Sequence, residues 1–270
     1  MKFKILMENQ ALSDEFLCSH GLCIYIETEK HKVLLDTGGN SLFLANAAKL
    51  GIDLSEIDTL VLSHGHYDHA GGLVEFMNIN SKADIYAAAH YDSPHYRDDG
   101  SYIGVEPVLV GHPRIKVLSG DKPIDDELTI LSYNNERLYE KIHDFNMTEG
   151  VVDSLSRTVR ILPEKFIHEQ YLLVNSGGKR VIFSGCSHKG IINLVKWTAC
   201  LDPDAYVGGF HLMEYGPERF EELDGICREL LKNRAVYYTG HCTGAAQYAY
   251  MSLKMGERVK YIASGAEFEI

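Results

Sequence analysis

The chain has 270 residues, 45% of them hydrophobic and 24% charged, and a formal net charge of −12 at pH 7. This is the composition of a folded globular protein large enough to bury a core without staples. The acidic balance argues against nucleic acid or an anionic membrane as partner, because both demand a basic surface.

Residues 3–7, 21–27 and 32–36 read as strands, the last two joined by the polar turn Thr28-Glu29-Lys30-His31. The third ends in Leu35-Asp36-Thr37-Gly38-Gly39, a carboxylate beside flexible glycines. Asn40 or Ser41 can cap a helix that runs to about Leu50, with Gly51 closing it. Residues 58–62 form an apolar strand, and directly behind it stands Ser63-His64-Gly65-His66-Tyr67-Asp68-His69-Ala70-Gly71-Gly72. A helix is expected from Gly71, then strands at 83–90, 115–118 and 128–131. Between Asn134 and about Glu164 the pattern weakens into polar residues. We read an insertion or lid at about 134–165, inside one domain spanning 1–270. Residues 170–174 and 180–184 form a second hairpin through Asn175-Ser176-Gly177-Gly178-Lys179. The final third alternates: helix 190–200, strand 204–210, helix 217–232, strand 235–239, helix 245–255 and a closing strand at 259–262. Two halves of this kind predict an α/β fold, a four-layer αββα sandwich of two mixed sheets with outer helices.

The chain begins with too short an apolar run for a signal peptide, and no apolar stretch approaches a membrane span. Its six cysteines lack framework spacing, which suits a reducing compartment and predicts a cytoplasmic protein.

The run from His64 to His69 sets three imidazoles and a carboxylate within six positions. Alternate side chains of an extended backbone share a face, so His64, His66 and Asp68 can converge on one point, and His69 can reach it where the strand turns. Imidazole and carboxylate are ordinary ligands of zinc and similar divalent ions, and clustered buried polar groups without partners are costly. The run predicts a metal site. Three later strands also end in glycine-flanked histidine: Gly185-Cys186-Ser187-His188, Gly208-Gly209-Phe210-His211 and Gly240-His241-Cys242. Packing does not explain this repetition, so the four segments are expected to share one site. Asp36 either fixes a ligand imidazole by hydrogen bonding or caps its turn. Tyr91, Tyr96, Tyr139, Phe145 and Phe166 either wall the pocket or serve as ordinary core and surface aromatics.

His64-Gly65-His66-Tyr67-Asp68-His69 resembles the signature of the metallo-β-lactamase superfamily. The likeness extends over nearly the whole chain, through the Asp36 strand end and the later glycine–histidine ends. It looks closest to a branch of metal-dependent hydrolases that includes a methanopterin-biosynthesis-like synthase. The resemblance implies that His64 and His66 hold a first metal, and that Asp68, His69 and His241 hold a second. It offers His168 as candidate third ligand, since a histidine normally precedes the later hairpin. The usual bridging aspartate is absent; Cys186 stands there and is implied as a ligand, or alternatively His188 replaces either missing ligand, the third histidine or the aspartate.

With one or two ions bound, most simply zinc and alternatively iron or manganese, a water would become a usable nucleophile near neutral pH. Asp68 would orient it or take its proton, and His211 would stabilise developing charge or protonate the leaving group. The expectation is a metal-dependent hydrolase acting on a small-molecule ester, phosphoester or related bond. The alternatives are a pterin-type condensing synthase on the same fold and a non-enzymatic metabolite-binding protein.

Overall fold

The computed structural model describes residues 1–152 and 158–270. Lys2–Met7 (β1), Cys23–Glu27 (β2) and Lys32–Leu35 (β3) make an antiparallel meander. Helix Leu42–Lys49 (α1) then carries the chain to Thr59–Val61 (β4), parallel to β3. A single helical turn, Tyr67–Ala70 (α2), and helix Leu73–Ile79 (α3) lead on to Asp84–Ala88 (β5), parallel to β4. The short strand His95–Tyr96 (β6) leaves this sheet, and Ile115–Leu118 (β7) rejoins it beside β5.

Lys122–Pro123 (β8) and Leu128–Leu131 (β9) open a second sheet. Thr148–Val152 (β10) and Val159–Pro163 (β11) pair with each other, and β10 also pairs with β6 in a separate three-stranded sheet. The hairpin Tyr171–Ser176 (β12) and Lys179–Phe183 (β13) returns to the second sheet. Helices Ile191–Trp197 (α4), Phe220–Leu230 (α5) and Ala245–Met255 (α6) alternate with the parallel strands Ala205–Gly208 (β14), Val236–Thr239 (β15) and Val259–Tyr261 (β16). Finally Glu267–Glu269 (β17) crosses back to pair with β1.

The two large sheets each have seven strands, ordered β17-β1-β2-β3-β4-β5-β7 and β16-β15-β14-β13-β12-β9-β8. Period-two alternation decides which face each residue covers. Val33 and Leu35 point between the sheets, with Phe3, Ile24, Leu172 and Phe183. Leu34 points outward beneath Phe43 of α1 and Phe76 of α3. On the far side, Ile191, Leu194, Leu223 and Met251 cover the second sheet. Each large apolar side chain so buried contributes on the order of 1.5–3 kcal/mol. The four layers expected from the sequence are present, as an α/β metallo-β-lactamase-type sandwich.

Some local expectations changed. Ser41 stands at the α1 N-cap without a side-chain cap bond, and Asn40 Oδ1 instead accepts from Leu42 N at 3.0 Å. The helix expected over 217–232 splits into a 3₁₀ turn, Pro217–Arg219, and α5, because proline favours the first turn. Strands β6, β8, β10 and β11 were not foreseen; two of them are only two residues long. Of the lid expected over 134–165, residues 153–157 lie outside the described residues. Among the described residues no helix is long and apolar enough to cross a membrane.

Candidate metal centre

The ends of β3, β4, β13, β14 and β15 meet at one edge of the sandwich, and each delivers part of the site. Their backbones turn sharply there. Asp36, Ser187, His211 and His241 adopt positive φ of 59°, 54°, 51° and 52°, a conformation that non-glycine residues hold only when the surroundings over-determine it. Gly185 is required for space, since a Cβ there would lie 2.0 Å from Ser63 Oγ and 3.0 Å from His64 Nδ1.

The buried Asp36 organises the first motif. Its Oδ1 accepts from Ser63 N at 2.7 Å. Its Oδ2 accepts from Ser63 Oγ at 2.6 Å and faces His69 Nδ1 at 2.7 Å. Ser63 Oγ in turn stands 2.9 Å from His64 Nδ1. With the serine proton committed to Asp36, both rings carry their proton on Nδ1 and expose a bare Nε2 lone pair. For His241 the same follows from Nδ1 lying 2.9 Å from Asn9 Oδ1.

The bare Nε2 of His69 faces that of His241, and the bare Nε2 of His64 faces the His188 ring. His69 Nε2 is 3.2 Å from His241 Nε2 and 3.2 Å from Cys186 Sγ, and His64 Nε2 is 3.3 Å from His188 Nε2. The bare nitrogens of His69 and His241 repel at that distance unless a cation lies between them; His188, whose Nδ1 is buried without a partner, has no hydrogen bond that sets its tautomer. Nitrogens bound at 2.0–2.1 Å around a tetrahedral ion would be about 3.3 Å apart. The residues therefore fit a divalent metal. His64, His66 and His188 make one cluster of donor atoms, His64, His69 and Cys186 a second, and His20, Asp68 and His241 a third. Asp68 Oδ2 lies 3.3 Å from His241 Nε2 and 3.1 Å from His20 Nε2.

Electrostatics agree with the geometry. Burial, then the neighbouring imidazoles, hold His64 and His188 well below the usual histidine range. Burial also brings His211 down to about 3, and brings His241 to about 4 against the pull of Asp68. Neutral imidazoles are what a metal requires. His69 is the exception: burial lowers it, but Asp36 and Asp68 outweigh burial and raise it, so a metal there would have to displace its proton. For Asp68, burial alone would raise the carboxyl, but His69, His20 and His241 outweigh it and hold it well below the usual range. Burial and Cys242 push the Cys186 thiol up, and a divalent ion is the charge that would make it a thiolate.

One expected residue sits in a neighbouring cluster, with His66, His95 and Glu164. His168 was the candidate third ligand, but His188 is the ring that joins His64 and His66. Both nitrogens of His168 are engaged elsewhere: Nδ1 accepts from Gly65 N at 2.8 Å, and Nε2 meets Glu164 Oε1 at 2.6 Å. His211 is half-buried on the cavity wall, its ring packed on His188 and Phe145 and its Nδ1 without a partner. Of the five aromatics considered for the wall, Phe145 lines the cavity. Phe166 stacks on His188, Tyr91 donates to Leu109 O in the core, and Tyr139 is exposed.

Sequence reading missed His20, Glu8, Glu164 and Glu169. Glu169 accepts from the backbone N–H of His188 at 2.6 Å and of Lys189 at 2.9 Å. Glu8 accepts from the backbone N–H of His241. Glu8, Glu164 and Glu169 are isolated acids, and no local pattern in the sequence marks them.

Residues 18–204 match the family model of the metallo-beta-lactamase superfamily. The chain belongs to this superfamily. The uncharacterized protein MJ0448 of Methanocaldococcus jannaschii is 30% identical over 78% of this chain and 79% of its own length. The 7,8-dihydropterin-6-methyl-4-(beta-D-ribofuranosyl)-aminobenzene-5'-phosphate synthase of the same organism is 29% identical over 90% of this chain and 88% of its own. The crystal structure of Tm1679, a metal-dependent hydrolase of the β-lactamase superfamily, matches with a TM-score of 0.83 at 24% identity, covering 100% of this chain and 99% of that one.

Proposed function

We propose that the protein is a metal-dependent hydrolase acting on an ester, phosphoester or related bond of a small molecule. The carrying observation is the pair of bare nitrogens of His69 and His241 held 3.2 Å apart, with His64 and His188 Nε2 at 3.3 Å and Asp68 and Cys186 beside them. His64, His66 and His188 would hold one divalent ion, and Asp68, His69, Cys186 and His241 a second; zinc suits this nitrogen, oxygen and sulfur set. Bound there, the ions would supply Lewis acidity to the scissile group and acidify water towards a pKa of about 7.

The remaining work falls to the chain. Asp68, held ionised by its histidine neighbours, orients the attacking water and takes its proton. His211, on the cavity wall, stabilises developing charge or protonates the leaving group. The cavity, of about 720 Å³, places the apolar Ile103, Phe145 and Met147 and the polar Tyr67 and Arg97 around a substrate of metabolite size. The acidic chain and its six free cysteines support a cytoplasmic site of action on a small molecule.

A second reading, condensation by a pterin-type synthase, is favoured by the likeness to the M. jannaschii synthase over most of both chains. The test is metal content by mass spectrometry together with a hydrolytic panel of esters and phosphoesters, and pterin plus phosphoribose-type substrates in parallel. Hydrolysis that disappears in the doubly substituted H64A/H66A protein supports the first reading. Turnover of pterin substrates alone supports the second. Activity that survives both substitutions in metal-free protein overturns both, and tight metabolite binding without turnover makes it a binding protein.

A further inference from the structure

We propose that Glu164 is a positioning residue for the ligand His66, and that it couples the β10–β11 hairpin to the ion held by His64, His66 and His188. This rests on the metal-centre reading above. Glu164 directly follows β11, and its N–H donates to Met147 O at 3.0 Å just before β10. Its side chain is fully buried and meets three imidazoles through one oxygen: His66 Nε2 at 3.1 Å, His95 Nδ1 at 3.0 Å and His168 Nε2 at 2.6 Å.

These four residues are not a further metal site. His168 Nδ1 accepts a backbone proton, so its Nε2 carries hydrogen and donates to Glu164. The 2.6 Å contact is also too short for two ligands of one tetrahedral ion, which would stand about 3.3 Å apart. His66 and His168 are hydrogen-bonded to Glu164, His95 stands beside it with both ring nitrogens unpartnered, and the cluster is short of positive charge. No lysine or arginine reaches Glu164 among the described residues, and a second buried acid, Glu149, stands opposite His95 in the β10–β6 register.

The missing charge lies on the other side of the His66 ring. His66 also belongs to the donor cluster with His64 and His188, and with Nε2 turned to Glu164 its Nδ1 is the nitrogen left to serve there. A divalent ion there would strengthen the Nε2–H as a donor and balance the carboxylate. Asp36 stands in the same relation to His69. Carboxylate–histidine–metal arrangements of this kind fix ring orientation and raise ligand basicity. What differs is the source of the carboxylate: Asp36 ends a main-sheet strand, whereas Glu164 comes from a hairpin outside both large sheets. Metal binding and docking of that hairpin must then favour each other by the same factor.

The test uses the full chain. Zinc is titrated against a chromophoric chelator in wild type, Glu164→Gln and Glu164→Asp, and backbone amide exchange is followed with and without zinc. For Glu164→Gln, zinc affinity is expected to fall about 10- to 100-fold for one bound equivalent, with partial recovery in Glu164→Asp. In wild type, zinc should slow exchange at residues 148–152 and 159–164. Wild-type affinity in Glu164→Gln, or exchange in wild type that zinc leaves unchanged, overturns the coupling. The exchange measurement decides the matter even if the variants fail to fold. A wild type that binds no zinc fails the metal-centre reading itself.

Discussion

Asp36 Oδ2 lies 2.7 Å from His69 Nδ1, and the same oxygen accepts from Ser63 Oγ at 2.6 Å, so one buried carboxylate sets the tautomer of two candidate ligands. His69 is oriented directly and His64 through the serine hydroxyl. Asp36→Ala should therefore weaken zinc binding about 10- to 100-fold. Ser63→Ala releases only the His64 arm and should cost less. Chelator competition on both variants checks the order.

Cys186 occupies the place where the superfamily resemblance implies a bridging aspartate. As a ligand it is shielded whenever metal is bound. Peptide mapping after thiol alkylation should show Cys186 labelled slowly in zinc-loaded protein and faster once zinc is stripped. The exposed Cys18 and Cys200 should label equally in both states. Cys186→Ala should lose one equivalent of zinc.

Gly185→Ala would press a methyl group onto Ser63 Oγ and His64 Nδ1. Overpacking of this kind costs about 1–3 kcal/mol. The melting temperature should fall, and zinc affinity should fall with it because the Asp36–Ser63–His64 relay is displaced. Thermal melts with and without zinc separate the two effects.

His211 shares the cavity but does not belong to the donor clusters. His211→Ala should leave metal content intact while lowering kcat by about 10²- to 10⁴-fold, the usual contribution of a positioned acid or base. Paired metal analysis and steady-state kinetics on whichever substrate the panel identifies provide the check.

Away from the site, His31 clips the two sheets together, with Nδ1 2.9 Å from Asp58 Oδ1 and Nε2 2.8 Å from Asp125 Oδ2. Burial lowers the His31 pKa, but Asp125 and Asp58 outweigh it and the net shift is upward. Burial raises Asp125, yet His31 and two backbone N–H groups bring it to about 2. The histidine contribution is complete below its unfolded pKa of about 6.5 and vanishes as pH climbs through the raised native value. The Asp125 contribution is complete above about 3.9 and vanishes as pH falls towards about 2. His31→Gln should thus destabilise most near pH 5, by about 1 kcal/mol or less for so exposed a cluster, and least above pH 8. Denaturant melts across that range would show it.

The layered fold was legible because its strands are short apolar runs bounded by turn residues, and its helices carry apolar faces at regular spacing. The first motif was legible for a related reason: one strand end carries four donors within six residues. The β6–β10–β11 sheet was not legible. Its strands are short or exposed, as Val159 and Ile161 are, and no period marks them. Glu164 and His95 were hidden with it.

Residue type and spacing, by themselves, determined that His64, His66, Asp68 and His69 stand together and that further histidines wait at later strand ends. Local chain geometry suffices for that, since neighbours in sequence cannot be far apart. Which distant rings complete the set was decided only by tertiary packing. His188 faces His64 while His168 turns to Glu164, because parallel β13 and β14 aim one loop into the cavity and the β10–β11 hairpin supplies a carboxylate behind it. Proton positions follow from such contacts, and they set which ring nitrogen of His64, His69 and His168 is left free.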